Sequence, residues 1–317
     1  MKTNELFLHQ LPNVKELFRV IAKEHPSLDE GLVEKDYWIM HCLWGIQQQG
    51  YRFELKGGTS LSKAFQIIER FSEDIDIQIH PNDANVKTGK NHDKLSHIDS
   101  RRNFFDKIAN KLKIPDLTFS RDSAFDDVSD MRSAGIRAEY STHFDPVPGL
   151  KEGVLLELGF DQTTPNMLCD ITSWAFEKAT ELKLPIIDNR AKQAACYYPE
   201  YTFVEKLQTI STKYRKQQNE KTMPINFLRH YYDIYKLLAN ERILKFIGSP
   251  EYFAHKNARF RTQDEKDLSK NPAFIIPDPE VKKLYSDEFK KKSKIYYGKQ
   301  PEFEEILDRI LKHIKSL

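Results

Sequence analysis

The sequence predicts an α+β fold: a small mixed sheet with flanking helices in residues 1–200, then a mostly helical C-terminal domain in residues 201–317. Three observations predict it. Around Lys56–Ile79 the order is short strand, Gly-Gly turn, helix, then a strand of alternating polar and apolar residues. Val154 to Phe160 is apolar on both faces, the pattern of a strand inside a sheet. From Thr202 onward apolar residues recur at helical spacing. A chain of 317 residues has room for two domains.

Taken in order, residues 5–24 and 27–49 read as helices. The second is opened by a Ser27–Glu30 capping box and carries Leu32, Trp38, Leu43 and Trp44 toward a core. Tyr51–Leu55 reads as a short strand ended by Gly57 and Gly58. Thr59 and Ser60 are N-cap residues for a helix whose stripe is Leu61, Ala64, Phe65 and Ile68. From Asp74 the period becomes two: Ile75, Ile77 and Ile79 pack behind, while Asp74, Asp76, Gln78 and His80 share the other face. Residues 81–101, polar and without sustained period, read as a mobile loop. Phe104, Phe105, Ile108, Ala109 and Leu112 form a helical stripe, and residues 134–141 and 167–173 read as strands. Residues 174–200 give no clear pattern. Thr202–Glu205 is a second capping box, opening a helix with the stripe Phe203, Leu207, Ile210 and Tyr214. Phe227, Tyr231, Ile234 and Leu238 form the next stripe, which Glu241 to Ile247 continues. Pro272, Pro277 and Pro279 interrupt the chain, and a terminal helix begins near Pro301.

Two of these elements carry chemistry. A glycine turn permits positive φ and close backbone approach. A helix N-terminus offers free N–H groups and the positive end of a dipole to an anion. Asp74 and Asp76, on one face of the next strand, are oxygen donors suited to a divalent cation beside phosphates. Either feature alone is commonplace: a D-x-D is often a solvated polar face, and a G-G only a turn. In this order they predict nucleotidyl transfer, with Gly57, Gly58, Thr59 and Ser60 binding the nucleotide and Asp74 and Asp76 holding metal. Glu157 interrupts the interior strand, where an ionised carboxylate costs several kcal/mol unless paired or bound to metal. It is a third metal ligand or a general base, or else a carboxylate paired with Arg137 or Lys151, or one facing water from an edge strand.

The run K-G-G-T-S-L-S-K (Lys56–Lys63) with R-F-S-E-D-I-D-I (Arg70–Ile77) resembles the first motif of the AbiEii/AbiGii toxin family. That family belongs to the DNA polymerase β-like nucleotidyltransferase superfamily. Its members are toxins of type IV toxin–antitoxin and phage abortive-infection systems. Glu34-Lys35-Asp36-Tyr37-Trp38 resembles a stretch common ahead of that motif; read from the residues alone it is an amphipathic helix with one charged turn. Glu205-Lys206-Leu207 resembles the family's E-K-L, whose lysine contacts nucleotide phosphates. Arg229-His230-Tyr231-Tyr232-Asp233-Ile234-Tyr235 resembles its final motif, with His230 where many relatives carry Asp. Asp233 is then the candidate for the acidic role, orienting Lys206 or His230.

The resemblance implies a polymerase β-like core, an acid at the place of Glu157 beside D-x-D, and a C-terminal domain contributing Lys206 and Asp233 to the site. It also implies Mg²⁺ or Mn²⁺, a nucleoside triphosphate as substrate, and transfer of the monophosphate with release of pyrophosphate. The acceptor it suggests is RNA, such as a tRNA 3′ end, and a cognate antitoxin encoded nearby need not touch the toxin. A catalytically silent nucleotide- or RNA-binding module, or a transferase acting on protein, remains open.

Composition narrows the class. Hydrophobic residues are 39% and charged residues 30%. No stretch approaches the ~20 apolar residues of a membrane span, and the first residues lack an apolar signal core, so a cytoplasmic protein is expected. Cys42, Cys169 and Cys196 are scattered without a C-x-x-C, which predicts reduced thiols rather than zinc or disulfides. Residues 201–317 hold 24 Lys+Arg against 16 Asp+Glu; residues 1–200 hold 25 against 31. The basic half either attracts nucleic acid or is a solvated surface. Phe289–Tyr297, F-K-K-K-S-K-I-Y-Y, suits RNA-backbone contact and base stacking, or an ordinary amphipathic helix.

Overall fold

The alternation at Ile75, Ile77 and Ile79 becomes the middle strand of a seven-stranded mixed sheet. In the computed structural model, residues 5–25, 27–89, 93–161, 163–291 and 293–317 are described. Of the segments singled out above, 1–4, 90–92 and Lys292 lie outside the described residues. The fold is mixed α/β and divides into two units, Met1–Ala64 with Phe71–Tyr197, and Phe65–Arg70 with Tyr198–Leu317. Among the described residues no helix is long and apolar enough to cross a membrane.

In the first unit, α1 (Val14–Glu24) and α2 (Glu30–Gln48) lead to β1 (Arg52–Lys56). The single turn α3 (Gly57–Thr59) runs into a wider π-type turn at Ser60–Ala64. Then come β2 (Asp74–His80), α4 (Leu95–Lys111), β3 (Thr118–Asp122), β4 (Ser133–Glu139), β5 (Val154–Gly159), β6 (Asn166–Ile171), α5 (Trp174–Glu181) and β7 (Ala191–Tyr197). The strand order is β3-β4-β5-β2-β1-β7-β6. β2 runs antiparallel to β1 and parallel to β5. Its isoleucines build one face of the sheet with their neighbours: Ile77 stands opposite Leu55 and Leu158, Ile79 opposite Phe53, and Ile75 opposite Leu156. All are buried, and each such side chain contributes about 1.5–3 kcal/mol of hydrophobic stabilisation. The opposite face carries Asp74, Asp76 and Gln78.

The second unit contains α6 (Pro199–Glu220), α7 (Arg229–Leu237), α8 (Glu241–Phe246), α9 (Pro250–Arg259), α10 (Pro272–Ile275), α11 (Pro279–Lys290) and α12 (Phe303–His313). Aromatic rings from several of them, and from Phe227 just before α7, meet edge to face: Phe227 with Tyr285 and Tyr231 with Phe303, each at 5.4 Å between centroids. The buried Tyr231 hydroxyl donates to the carbonyl of Ala273 at 2.6 Å.

Several expected boundaries move, each for a local reason. Asp29, not Ser27, caps α2, its carboxylate accepting from Gly31 N at 2.8 Å. The expected helix over residues 5–24 is a 3₁₀ turn at Leu8–Gln10 followed by α1. The helix after the glycines stops at Ala64 instead of running to Ile68. Gln66 takes φ +52°, which no α-helix continues, and Phe65–Arg70 joins the second unit. Residues 95–101, expected in a loop, are the first turns of α4. α6 opens at Pro199, whose ring presets φ for a first helical position. Thr202 lies inside that helix and donates back to the Tyr198 carbonyl at 3.3 Å. Glu241 does not continue the preceding helix; Asn240 caps a new one by accepting from Arg242 N at 3.0 Å.

Candidate active site

β1 ends where the chain takes φ +72° at Gly57, a conformation glycine adopts at no steric cost. The missing side chain also makes room: a Cβ at Gly57 would lie 2.2 Å from Asp76 Oδ2. The Asp76 carboxylate therefore rests against bare backbone. Thr59 and Ser60 lie inside the turn, with Lys56 at the N-cap position. The Thr59 hydroxyl donates to the main-chain carbonyl of Asp74 at 2.6 Å, fastening the turn to β2. The Ser60 hydroxyl is buried with no hydrogen-bond partner among the described residues, which is uncommon for a buried donor. The helical stretch is short, so its dipole offers an anion little, and the turn's own backbone and hydroxyl groups are the donors available there.

Asp74 and Asp76 share a face by strand alternation. On the neighbouring parallel strand Glu157 stands in register with Asp76, and Leu155 with Asp74. Paired residues of a sheet project to the same side, so the three carboxylates are neighbours on one surface. Asp74 is 4% exposed, and both its carboxylate oxygens lie 3.1 Å from Lys151 Nζ. Lys151 bonds Asp74, and Arg137 pairs with Asp122.

Hard oxygen donors on one face, with a cation already bonded to one of them, suit a divalent ion. Among the described residues no three of His, Cys, Asp or Glu draw together as an assembled metal centre. Lys151 occupies the Asp74 oxygens that such a centre would use.

The charged turn of α2 is not a solvated stripe. Glu34, Lys35 and Asp36 are all buried, and each is answered by a partner, as burial of charge requires. The Glu34 carboxylate accepts from the Thr142 hydroxyl and the His143 ring, both at 2.7 Å. The Lys35 ammonium donates to the Lys151 carbonyl at 2.5 Å and lies 3.5 Å from Glu73. Burial pulls it below its ordinary pKa, against the raising effect of Glu73 and Asp74. Asp36 pairs with Lys63 and accepts from Trp174 N at 2.9 Å. Burial pushes its carboxyl up, although Lys63 works the other way. Lys63 also lies over the Trp174 ring, 4.4 Å from its centroid. One helical turn thus fastens the glycine turn, the residue before Asp74 and the residue facing Asp74.

In the second unit Lys206 and Asp233 come together. Lys206 Nζ is 2.6 Å from Asp233 Oδ2, and Arg70 closes a fork on both oxygens at 2.7 Å. All three are buried, so Lys206 is no solvent-facing helix lysine. Burial raises the Asp233 carboxyl, but Arg70 and Lys206 outweigh it and hold it below the usual carboxylate range. Burial lowers Lys206, with Asp233 opposing. Asp233 orients Lys206 rather than His230. Burial and then Lys206, Lys213, Arg229 and Arg70 push His230 well below its ordinary pKa, and it is neutral near pH 7.

Sequence reasoning missed Lys151 on Asp74, Arg70 on Asp233, and the partners of the α2 turn. Lys151 and Asp74 are 77 residues apart and Arg70 and Asp233 163 apart, and no periodicity links them. The one available signal was three consecutive charges inside an otherwise apolar helix.

Compared with models of protein families, residues 39–309 match the model described as nucleotidyl transferase AbiEii toxin, type IV TA system. Neither the curated proteins nor the solved structures give a match to the chain.

Proposed function

Since the chain belongs to the AbiEii family of nucleotidyl transferase toxins from type IV toxin–antitoxin systems, we propose that it transfers the monophosphate of a nucleoside triphosphate to RNA, such as tRNA, with Mg²⁺ or Mn²⁺ held by Asp74, Asp76 and Glu157. The observation that carries this reading is the register of Asp76 with Glu157, with Asp74 along the same face and Gly57 against the Asp76 carboxylate. On it, the first unit is a polymerase β-like core and the second a helical C-terminal domain.

The Gly57–Ser60 turn receives the phosphates, the Ser60 hydroxyl finding there the acceptor it otherwise lacks. Asp74 and Asp76 would hold the triphosphate's cation, and Glu157 would add a further oxygen donor. When bound, that cation supplies charge neutralisation for the leaving pyrophosphate. Lys206 is the phosphate-contacting lysine of the E-K-L motif, and the Asp233–Arg70 pair keeps its ammonium in one orientation. Family membership further implies a cognate antitoxin and a role in growth arrest or phage defence inside the cell.

The test incubates the protein with each labelled nucleoside triphosphate, Mg²⁺, total cell RNA and cell protein. Label on RNA that disappears with Asp74→Ala supports the reading. Label on protein moves the acceptor. A wild-type chain that labels neither, while Asp74→Ala arrests growth as strongly as wild type, makes the chain a binder and overturns the reading.

A further inference from the structure

We infer that Lys151 is a positioning residue that competes with the divalent cation for Asp74, so that metal and triphosphate enter the site together rather than one by one. The inference rests on Asp74 being a metal ligand. Lys151 Nζ lies at the same 3.1 Å from both Asp74 oxygens. It therefore fills the position a divalent ion would take on that carboxylate, and two cations cannot share it without repulsion.

The main chain of Lys151 is held on both sides. Its N–H donates to Glu73 Oε2 at 2.8 Å, and its carbonyl accepts from Lys35 Nζ at 2.5 Å. Glu73 and Lys35 are themselves buried and 3.5 Å apart. The backbone is thus placed by a buried ion pair, while the side chain stays a quarter exposed. Besides Asp74, the ammonium rests on the Phe125 ring, 4.3 Å from its centroid. It borders a cleft of about 720 Å³ that Lys35, Arg137 and Tyr140 also line. Such a side chain can leave Asp74 without disturbing the fold. A lysine is a compact charge that exchanges a carboxylate for a phosphate oxygen by rotating its stem. Triphosphate oxygens give it that alternative; a free metal ion does not. By linkage, the triphosphate then raises metal affinity and metal raises triphosphate affinity by the same factor.

The experiment measures Mn²⁺ binding without nucleotide by calorimetry for wild type, Lys151→Met, Lys151→Gln, Lys151→Arg and Asp74→Asn. Methionine keeps the stem over Phe125, and glutamine keeps a hydrogen bond to Asp74, so one neutral variant folds if the other does not. Either neutral variant should bind Mn²⁺ about tenfold or more tightly than wild type. A non-hydrolysable triphosphate should improve its metal binding less than it improves the wild type's. Lys151→Arg should stay near wild type. A folded neutral variant with wild-type Mn²⁺ affinity overturns the inference. Should Asp74→Asn also bind like wild type, the metal-site reading itself falls. Should Asp74→Asn lose binding while the neutral variants match wild type, only the role of Lys151 falls.

Discussion

Gly57→Ala separates the geometry of the candidate site from the stability of the fold. Two costs follow from the coordinates. An alanine held at φ +72° carries a left-handed penalty of about 1–2 kcal/mol. Its Cβ would lie 2.2 Å from Asp76 Oδ2, so the carboxylate must retreat by about 1.2 Å to reach ordinary contact at 3.4 Å. A misplacement of about 1 Å at a reacting centre costs roughly 100-fold in rate. The variant should therefore unfold at modestly lower urea, with kcat down about 100-fold. Gly50→Ala is the control: its φ is +77° and nothing lies within 4 Å of an added Cβ. It should show the same backbone penalty with transfer unchanged. The assay pairs urea denaturation with the initial rate of label transfer for both variants. Full activity in Gly57→Ala would refute the placement of Asp76 at the reacting centre. Equal rate losses in both variants would refute the idea that displacement, rather than strain, is responsible.

Glu157→Gln should fold and lose transfer by about 100-fold or more; an active, folded variant would reduce Glu157 to a structural residue. Asp233→Asn leaves Arg70 and Lys206 buried around a neutral amide and should cost about 3–5 kcal/mol in urea denaturation, whereas Lys206→Met keeps the Arg70–Asp233 fork and should cost clearly less. Acid should destabilise the protein through His41, whose Nε2–H donates to the Pro115 carbonyl and whose Nδ1 accepts from Asn189. Burial lowers its pKa from 6.5 to about 4, so the folded state takes up the proton later than the unfolded chain. The contribution is complete above pH 6.5 and is lost as pH falls toward about 4, up to roughly 3 kcal/mol. A melting-temperature series across that window should fall steeply for wild type and less for His41→Gln; parallel curves would contradict it.

Local pattern announced the middle of the sheet well. Ile75, Ile77 and Ile79 alternate because one face of β2 is buried, and Val154–Phe160 is apolar apart from Glu157 because β5 is buried on both faces at its other positions from Val154 to Gly159. The strand β7 was invisible for the opposite reason. Ala-Lys-Gln-Ala-Ala-Cys-Tyr has little β preference, and its pairing with β1 and β6 places it in the sheet. The helix predicted through Ile68 failed because periodicity cannot tell which unit a residue will join; Ile68 is buried, but in the second unit. At the candidate site, D-x-D and the glycine turn were legible as local signals. The register of Asp76 with Glu157 was not, because it is set by strands 81 residues apart in the chain. Nor was the burial of Lys35 and Asp36, since three adjacent charges on a helix ordinarily face water.

Asp74 and Asp76 ride on the fourth of seven strands and Glu157 on the third, each strand hydrogen-bonded along both edges. Backbone amides in such a strand exchange with solvent deuterium only when the sheet opens as a whole, whereas edge strands and helix ends exchange through local fraying. The amides of Ile75, Asp76 and Ile77 should accordingly be among the slowest in the first unit, with those of the edge strands β3 and β6 faster. Fraying at the edges would leave the carboxylates in register, and only cooperative loss of the sheet would separate them. If those carboxylates carry the activity, nicking or fraying at the sheet's edges would leave their part of the site in place.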